Sequence, residues 1–366
     1  MDNEEDPPEP PTKRHKCSAC YKQYKKKEYL VEHMKTAYHS IHQPKCVVCE
    51  KHCKSFESLR EHLTGPLAKG LCSAVFSQYG CQLCLTRFDS HASLSDHRET
   101  CRLAAPVPLG TNEFPCTNIH NNFLDSSDEN DADCLPRAIA MDCEMVGGGS
   151  DGSLELCARV CLVDEDENLI FHTYVKPQIP VTNYRYDITG LTEEHLQDGM
   201  PLKEVREKIL QILYNGESIG KVRLDGGKAR LLVGHDLAHD LDCLGMSYPD
   251  HLMRDTAKYR PLMKTNLVCY SLKYLTRTYL GYDIQTGTHN PYEDCISVMR
   301  LYKRIRGQSH KEKGYRTLTP SDNILDMFDS WRSKELDNLT PDELYAISKS
   351  DYRCWCLDLK PRLAQA

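Results

Sequence analysis

No stretch of 18 apolar residues occurs in this 366-residue chain, and without one a membrane-spanning helix is excluded. The amino terminus, Met1-Asp-Asn-Glu-Glu-Asp6, lacks the basic start and apolar run of a secretory signal. A soluble, intracellular protein with no membrane partner is therefore expected. That compartment keeps thiols reduced, so the 19 cysteines are expected as thiols or metal ligands, not as a disulfide framework. Charge of one sign is also scarce locally. Residues 1–11 hold five acidic side chains and no Lys or Arg, whereas residues 12–104 hold 16 Lys/Arg against 8 Asp/Glu. With a net charge of −7 overall, residues 105–366 carry −10. A basic module beside an acidic one suits a polyanion-binding arm joined to a carboxylate-rich domain.

Nine of the cysteines fall between Cys17 and Cys101. Cys17-x2-Cys20-x12-His33-x5-His39 has the spacing of a zinc finger, with Tyr24 and Leu30 as its small core. Cys81-x2-Cys84-x12-His97-x3-Cys101 repeats it, with Phe88 and Leu94 in the same places. Between them Cys46-x2-Cys49-x12-His62 keeps the spacing, and Cys72 is the next candidate ligand. Cys53 is either core or an alternative ligand there. A two-residue gap lets two thiolates of one turn reach one ion, and a helix delivers the remaining ligands to complete a tetrahedron. Two to three structural Zn²⁺ ions are expected, because units of this size do not fold without metal. The Thr-Gly-Glu-Lys-Pro linker of tandem major-groove readers is missing. Lys22, Lys25, Lys26 and Lys27 offer phosphate contacts, so nucleic acid, RNA before DNA, is the expected partner of the first finger. Protein contact is the alternative use of fingers two and three.

Residues 105–136 are proline-spotted and then acidic, which reads as a self-repelling flexible linker. Beyond them strand and helix alternate. Strands are expected at 138–144, 157–163, 169–176 and 230–234, with a short fifth at 252–256. Gly147 to Gly152 reads as a loose turn and Asn215 to Lys228 as an exposed hairpin. One helix begins at Pro201 with Leu202, Val205, Ile209, Ile212 and Leu213 on a single face. A second covers 271–280 and stops at Gly281. The last has Pro291 in its first turn and Cys295, Val298, Met299 and Tyr302 facing inward. The pattern predicts an α/β fold with a mixed sheet and flanking helices.

Three acidic runs lie in this segment: Asp142-Cys143-Glu144, Gly234-His-Asp-Leu-Ala-His-Asp240, and His289-Asn-Pro-Tyr-Glu-Asp294. On a strand Asp142 and Glu144 face the same way, roughly 7 Å apart, with Cys143 pointing oppositely. Carboxylates ending an apolar strand repel one another unless a cation sits between them. Oxygen-only ligands favour Mg²⁺ or Mn²⁺ over Zn²⁺.

These runs, with Val181-Thr-Asn-Tyr-Arg185, Thr189-Gly190-Leu-Thr192, Arg254-Asp255-Thr256 and Ser271-Leu-Lys-Tyr-Leu275 in order, resemble the DEDDh class of 3′–5′ exonucleases, nearest the RNA exonuclease 4 and apoptosis-enhancing nuclease branch. The resemblance covers about residues 138–306. It implies a ribonuclease-H-like fold over 137–308 and two Mg²⁺ or Mn²⁺ ions. By the same resemblance Asp142 bridges both ions, Glu144 and Asp294 hold one, Asp240 supports the other through water, and His289 takes the proton of the attacking water. Met145 and Arg185 match positions that contact the terminal nucleotide. Where the family often has Ser-Ser after the histidine, this chain has Asn290-Pro291.

Glu293 is expected to face elsewhere, Asp236, His239 and Asp242 to face solvent, and His235 to brace the strand end. Residues 309–366 lie outside the resemblance and are read as a carboxy-terminal tail, helical at Asp322 to Trp331 and Pro341 to Ile347. The expected activity is 3′–5′ hydrolysis of phosphodiesters, of RNA before DNA, in the nucleus. The alternatives are a DNA exonuclease, or a zinc-finger nucleic-acid-binding protein with a non-catalytic nuclease fold.

Overall fold

A computed structural model describes residues 14–17, 19–20, 22–37, 39–66, 70–109, 138–218, 227–308, 348 and 352–359. The proposed helices at Asp322 to Trp331 and Pro341 to Ile347, and residues 219–226 of the expected hairpin, lie outside them. The chain divides into two compact units, residues 1–75 with 310–353, and residues 76–309 with 354–366.

In the first unit, β1 (His15–Lys16) and β2 (Gln23–Tyr24) form a small antiparallel pair before α1 (Lys27–Ala37). Leu30, Val31 and Met34 of the helix bury against Cys17 and Ala19, with Tyr24 packed beside them. The next helix, α2 (Phe56–Thr64), starts at Ser55, whose side chain accepts the Ser58 N–H. That capping bond satisfies one orphan donor of the first turn. α3 (Gly70–Tyr79) follows.

The second unit opens with α4 (His91–Cys101), capped by Ser90 in the same way. Its sheet then builds from β3 (Ala138–Gly148), β4 (Leu154–Val163), β5 (Leu169–Lys176), β6 (Val181–Asn183), β7 (Met200–Pro201), β8 (Leu231–Gly234) and β9 (Met253–Asp255). The strand order is β7-β5-β4-β3-β8-β9, with β6 pairing β3. β3 runs antiparallel to β4 and parallel to β8. Helices α5 (Tyr186–Thr189), α6 (Glu193–Gln197), α7 (Leu202–Tyr214), α8 (Leu237–Leu244), α9 (Leu272–Leu275) and α10 (Pro291–Arg306) flank it. This is the ribonuclease-H-like mixed sheet that the motifs imply. Val205, Ile209, Ile212 and Leu213 of α7 are buried, as their spacing requires. Among the described residues no helix is long and apolar enough to cross a membrane.

Two local expectations change. β3 does not end before the glycines: it pairs with β4 to Gly148, and its register shifts between Glu144 and Met145. A Cβ on Gly147 would come within 2.4 Å of the Gly152 carbonyl oxygen, so Gly147 serves close backbone approach, and the turn is confined to Gly149 through Gly152, where both glycines take positive φ. The helix expected over 271–280 is α9 followed by a π-turn, Thr276–Leu280, closed by Gly281 at φ +89°. Thr276 Oγ1 donates to the Lys273 carbonyl at 3.0 Å, a side-chain bond that competes with the helical ladder.

Part of the expected tail also belongs to this fold. Residues Trp355–Leu359 form a 3₁₀ turn in the second unit. Trp355 stacks on Tyr259 at 3.9 Å and meets Tyr302 edge-on. Asp358 takes both Arg254 Nε (2.8 Å) and Nη2 (2.7 Å) and accepts from Tyr302 Oη at 3.0 Å.

Candidate active site

The end of β3, the first turn of α8 and the first turn of α10 each deliver carboxylate to one place. Asp142 and Glu144 lie on β3 opposite Cys161 and Arg159 of β4. Asp240 comes from α8, which begins where parallel β8 ends. Pro291 fixes the start of α10, and Asn290 caps it by accepting the Tyr292 N–H at 3.1 Å. Asp294 therefore projects from a first turn set by a cap and a proline. The loop ahead of that cap is anchored by the His289 N–H, which donates to the Ile188 carbonyl at 2.6 Å.

The ligand atoms of Glu144, His289 and Asp294 all lie within 4.8 Å of one another. Glu144, Asp240 and Asp294 are buried, and Asp142 and His289 are partly exposed. Burial, then Asp294, Asp240 and Glu144, hold Asp142 well above the usual carboxylate range. Burial and Asp294 push Glu144 up to about 8, against the pull of Arg159. Asp294 rises to about 7, chiefly by burial. Asp240 is raised by burial and by Asp236 and Asp255. Asp240 Oδ2 and Asp294 Oδ1 are buried without a hydrogen-bond partner. Leaving buried acceptors unmade costs about 1–3 kcal/mol each. Orphaned oxygens in a field of four carboxylates fit hard divalent cations.

His289 sits below its ordinary value because of burial and Lys273, which keeps the imidazole neutral near pH 7. His235 bonds Thr256 Oγ1 at 2.9 Å through Nδ1, bracing the strand end. Asp236, His239 and Asp242 are exposed. His239 nonetheless bonds Glu155, whose other oxygen holds Arg185 Nη1 at 2.9 Å. Met145 is partly exposed just past the register shift.

Residues 139–302 match the family model described as Exonuclease. That segment belongs to the exonuclease family. The chain is 35% identical over 173 residues to RNA exonuclease 4 of Homo sapiens, covering 47% of this chain and 38% of that protein. It is 34% identical over 208 residues to RNA exonuclease 4 of Saccharomyces cerevisiae, covering 56% of this chain and 64% of that one. The chain thus spans less than two thirds of the length of these relatives. Among solved structures, the Neurospora crassa Pan2 catalytic unit (protease and nuclease domain) aligns with 60% of this chain and 33% of that one, at 19% identity and a TM-score of 0.40.

The sequence reading passed over two residues beside the exonuclease site. Glu293, set aside in the sequence as facing elsewhere on the helix, is buried, and its Oε2 accepts the Gln285 N–H at 3.1 Å. Gln285 Nε2 donates in turn to Asp294 Oδ2 at 3.0 Å, so this carboxylate orients a ligand candidate. Arg159 is 1% exposed, with Nε on His172 Nε2 at 2.8 Å and Nη2 unpartnered. Its place opposite Glu144 follows from strand register, which becomes legible only once β3 and β4 are paired.

The amino-terminal candidates gather into three groups: Cys17, Cys20, His33 and His39; Cys46, Cys49, His62 and Cys72; and Cys81, Cys84, His97 and Cys101. Within each, the four donor atoms lie within 4.8 Å of one another. Cys20–His33, Cys49–His62 and Cys84–His97 stand 3.2, 3.3 and 3.2 Å apart, and Cys81–Cys101 3.7 Å. Tetrahedral Zn²⁺ with bonds of about 2.0–2.3 Å requires ligand separations of about 3.3–3.8 Å. Burial and His33 hold His39 at about 4, neutral and free to ligate. Cys72 reaches the second group from α3, while buried Cys53 stays outside it.

Proposed function

We propose that this chain is a divalent-metal-dependent 3′–5′ exonuclease acting on RNA, working in the nucleus, with zinc-bearing fingers that recruit substrate. The observation that carries the reading is the cluster of Asp142 with buried Glu144, Asp240 and Asp294, two of whose carboxylate oxygens are orphaned, beside a neutral His289. The names of the relatives, RNA exonuclease 4, favour RNA over DNA.

In this reading Asp142, Glu144, Asp240 and Asp294 hold two Mg²⁺ or Mn²⁺ ions. Bound there, such ions stabilise the attacking and leaving oxygens of a phosphodiester displacement. His289 accepts the proton of the attacking water, for which a neutral imidazole is suited. Its backbone bond to Ile188 fixes where that base stands. Met145 and Arg185 meet the terminal nucleotide, and Arg185 arrives held by Glu155. Cys17, Cys20, His33 and His39, with the two further groups, hold structural Zn²⁺.

Purified full-length protein is incubated with single-stranded RNA or DNA labelled at the 5′ end, with Mg²⁺ or with chelator. Stepwise shortening from the 3′ end with release of mononucleotides, faster on RNA and lost with chelator, is expected. Cutting of circular RNA at the linear rate would mean an endonuclease.

A further inference from the structure

Finger three differs from the other two in charge and in setting. Residues 12–69 hold thirteen Lys/Arg against five Asp/Glu, the whole basic surplus of the amino-terminal third. Residues 70–104 hold three of each. A neutral finger is poorly suited to a polyanion. Instead it lies in one compact unit with the exonuclease domain.

The contacts run in order. Leu83 approaches Gly281, where an added Cβ would come within 3.1 Å of Leu83 Cδ1 and 2.9 Å of Arg102 Cγ. Arg102 Nε donates to the Gly281 carbonyl at 3.0 Å, and the Leu103 N–H to that of Leu280 at 3.0 Å. Arg304 of α10 bonds the carbonyl of Cys101, a ligand candidate of the finger. Arg300 Nη1 reaches Ala104 at 2.7 Å, and Asn290 Nδ2 reaches Leu109 at 2.9 Å.

Residues 101–109 therefore lie antiparallel along α10. Fourteen helical residues rise about 21 Å, and eight extended ones reach about 26 Å, so the strap matches its helix in length. At its far end it meets Asn290, which is buried, caps α10 and stands next to His289. Asn290 also marks where this chain leaves the Ser-Ser pattern. A serine hydroxyl could cap the helix but is one atom group too short to serve strap and cap together.

We propose that finger three and the strap at Arg102–Leu109 are a built-in support of the exonuclease site, positioning the His289 loop and α10 through Asn290, so that turnover depends on the intact Cys81, Cys84, His97 and Cys101 set. The proposal rests on the reading of His289 and Asp294 as catalytic machinery. Asn290 is a positioning residue.

The test uses full-length protein with Asn290→Ser, Asn290→Ala or Cys101→Ser, and reads zinc content, thermal melting, and kcat and KM on a five-nucleotide RNA. Asn290→Ser should lower kcat roughly tenfold, as misplaced catalytic groups do, with KM within about twofold. Cys101→Ser should lose one zinc, melt earlier and lose kcat on the same short RNA. A kcat loss in Asn290→Ala but not in Asn290→Ser would assign the effect to the cap alone and overturn the strap. Cys101→Ser with wild-type melting and wild-type kcat on the five-nucleotide RNA, and weaker binding only to long RNA, would overturn the support. Should the wild type hydrolyse nothing, the functional reading fails, and melting still decides the support: an earlier exonuclease-domain transition in Cys101→Ser upholds it, an unshifted one overturns it.

Discussion

Asp142 stands in the field of the three other carboxylates of the site, Asp294, Asp240 and Glu144. Its charge at neutral pH depends on a counter-cation, so Asp142→Ala should lower hydrolysis by about a thousandfold, near 4 kcal/mol of barrier, with RNA binding by full-length protein largely kept. Activity assays beside filter binding check this, and near-normal turnover would sink the two-metal assignment. The same residues predict a pH effect. Glu144 at about 8 and Asp294 at about 7 lie above their unfolded values, so without metal the native state binds more protons than the unfolded one across that window. Stability is then complete below about pH 4 and declines as pH rises through 7 to 8. Melting of chelated protein between pH 5 and 8.5 should show that fall, and Mg²⁺ or Mn²⁺ should reverse it by displacing the protons. A flat profile in chelator would contradict it. These carboxylates were legible in sequence because strand alternation pairs Asp142 with Glu144 and a proline places Asp294 in a first helical turn.

At the scale of elements, local signals located strands and helices while long-range partners escaped them. β5 and α7 fall where apolar periodicity and Pro201 put them. The π-turn at Thr276–Leu280 did not announce itself, since a Thr within a helical pattern has no fixed partner in sequence. Nor did the turn at Trp355–Leu359, because Asp358 and Arg254 are 104 residues apart. Their ion pair is 3% and 1% exposed on the two sides, so removing one member strands the other charge. Asp358→Ala should cost about 3–5 kcal/mol. Joint replacement as Arg254→Met with Asp358→Leu should recover much of that loss. Denaturant titration of the variants checks both, and a loss under 1 kcal/mol in Asp358→Ala would remove the turn from the fold's core.

For the whole molecule, the basic arm and the exonuclease domain were visible in composition, but the border between them was not. Ala105-Pro-Val-Pro-Leu109 reads as linker by composition, yet Pro106 is buried, and Leu109, like Ala104 just before it, accepts a bond from the exonuclease domain. The border therefore falls within α3, between residues 75 and 76, and not after finger three. Deleting residues 1–69 removes the thirteen Lys/Arg of residues 12–69, together with the acidic start at residues 1–11, and most of two zinc groups. The truncated protein should keep one zinc and its kcat on short RNA, and should bind long RNA with a weaker salt dependence, each lost phosphate contact lowering the slope by about 0.7. Deleting residues 1–104 instead removes the strap's anchor, and melting should fall along with kcat on the same short RNA. Elemental analysis, melting and salt titrations of the two truncations decide the matter. Equal melting and equal kcat in both would return finger three to the recruiting arm, and an unchanged salt slope on losing residues 1–69 would move RNA recruitment to the exonuclease domain.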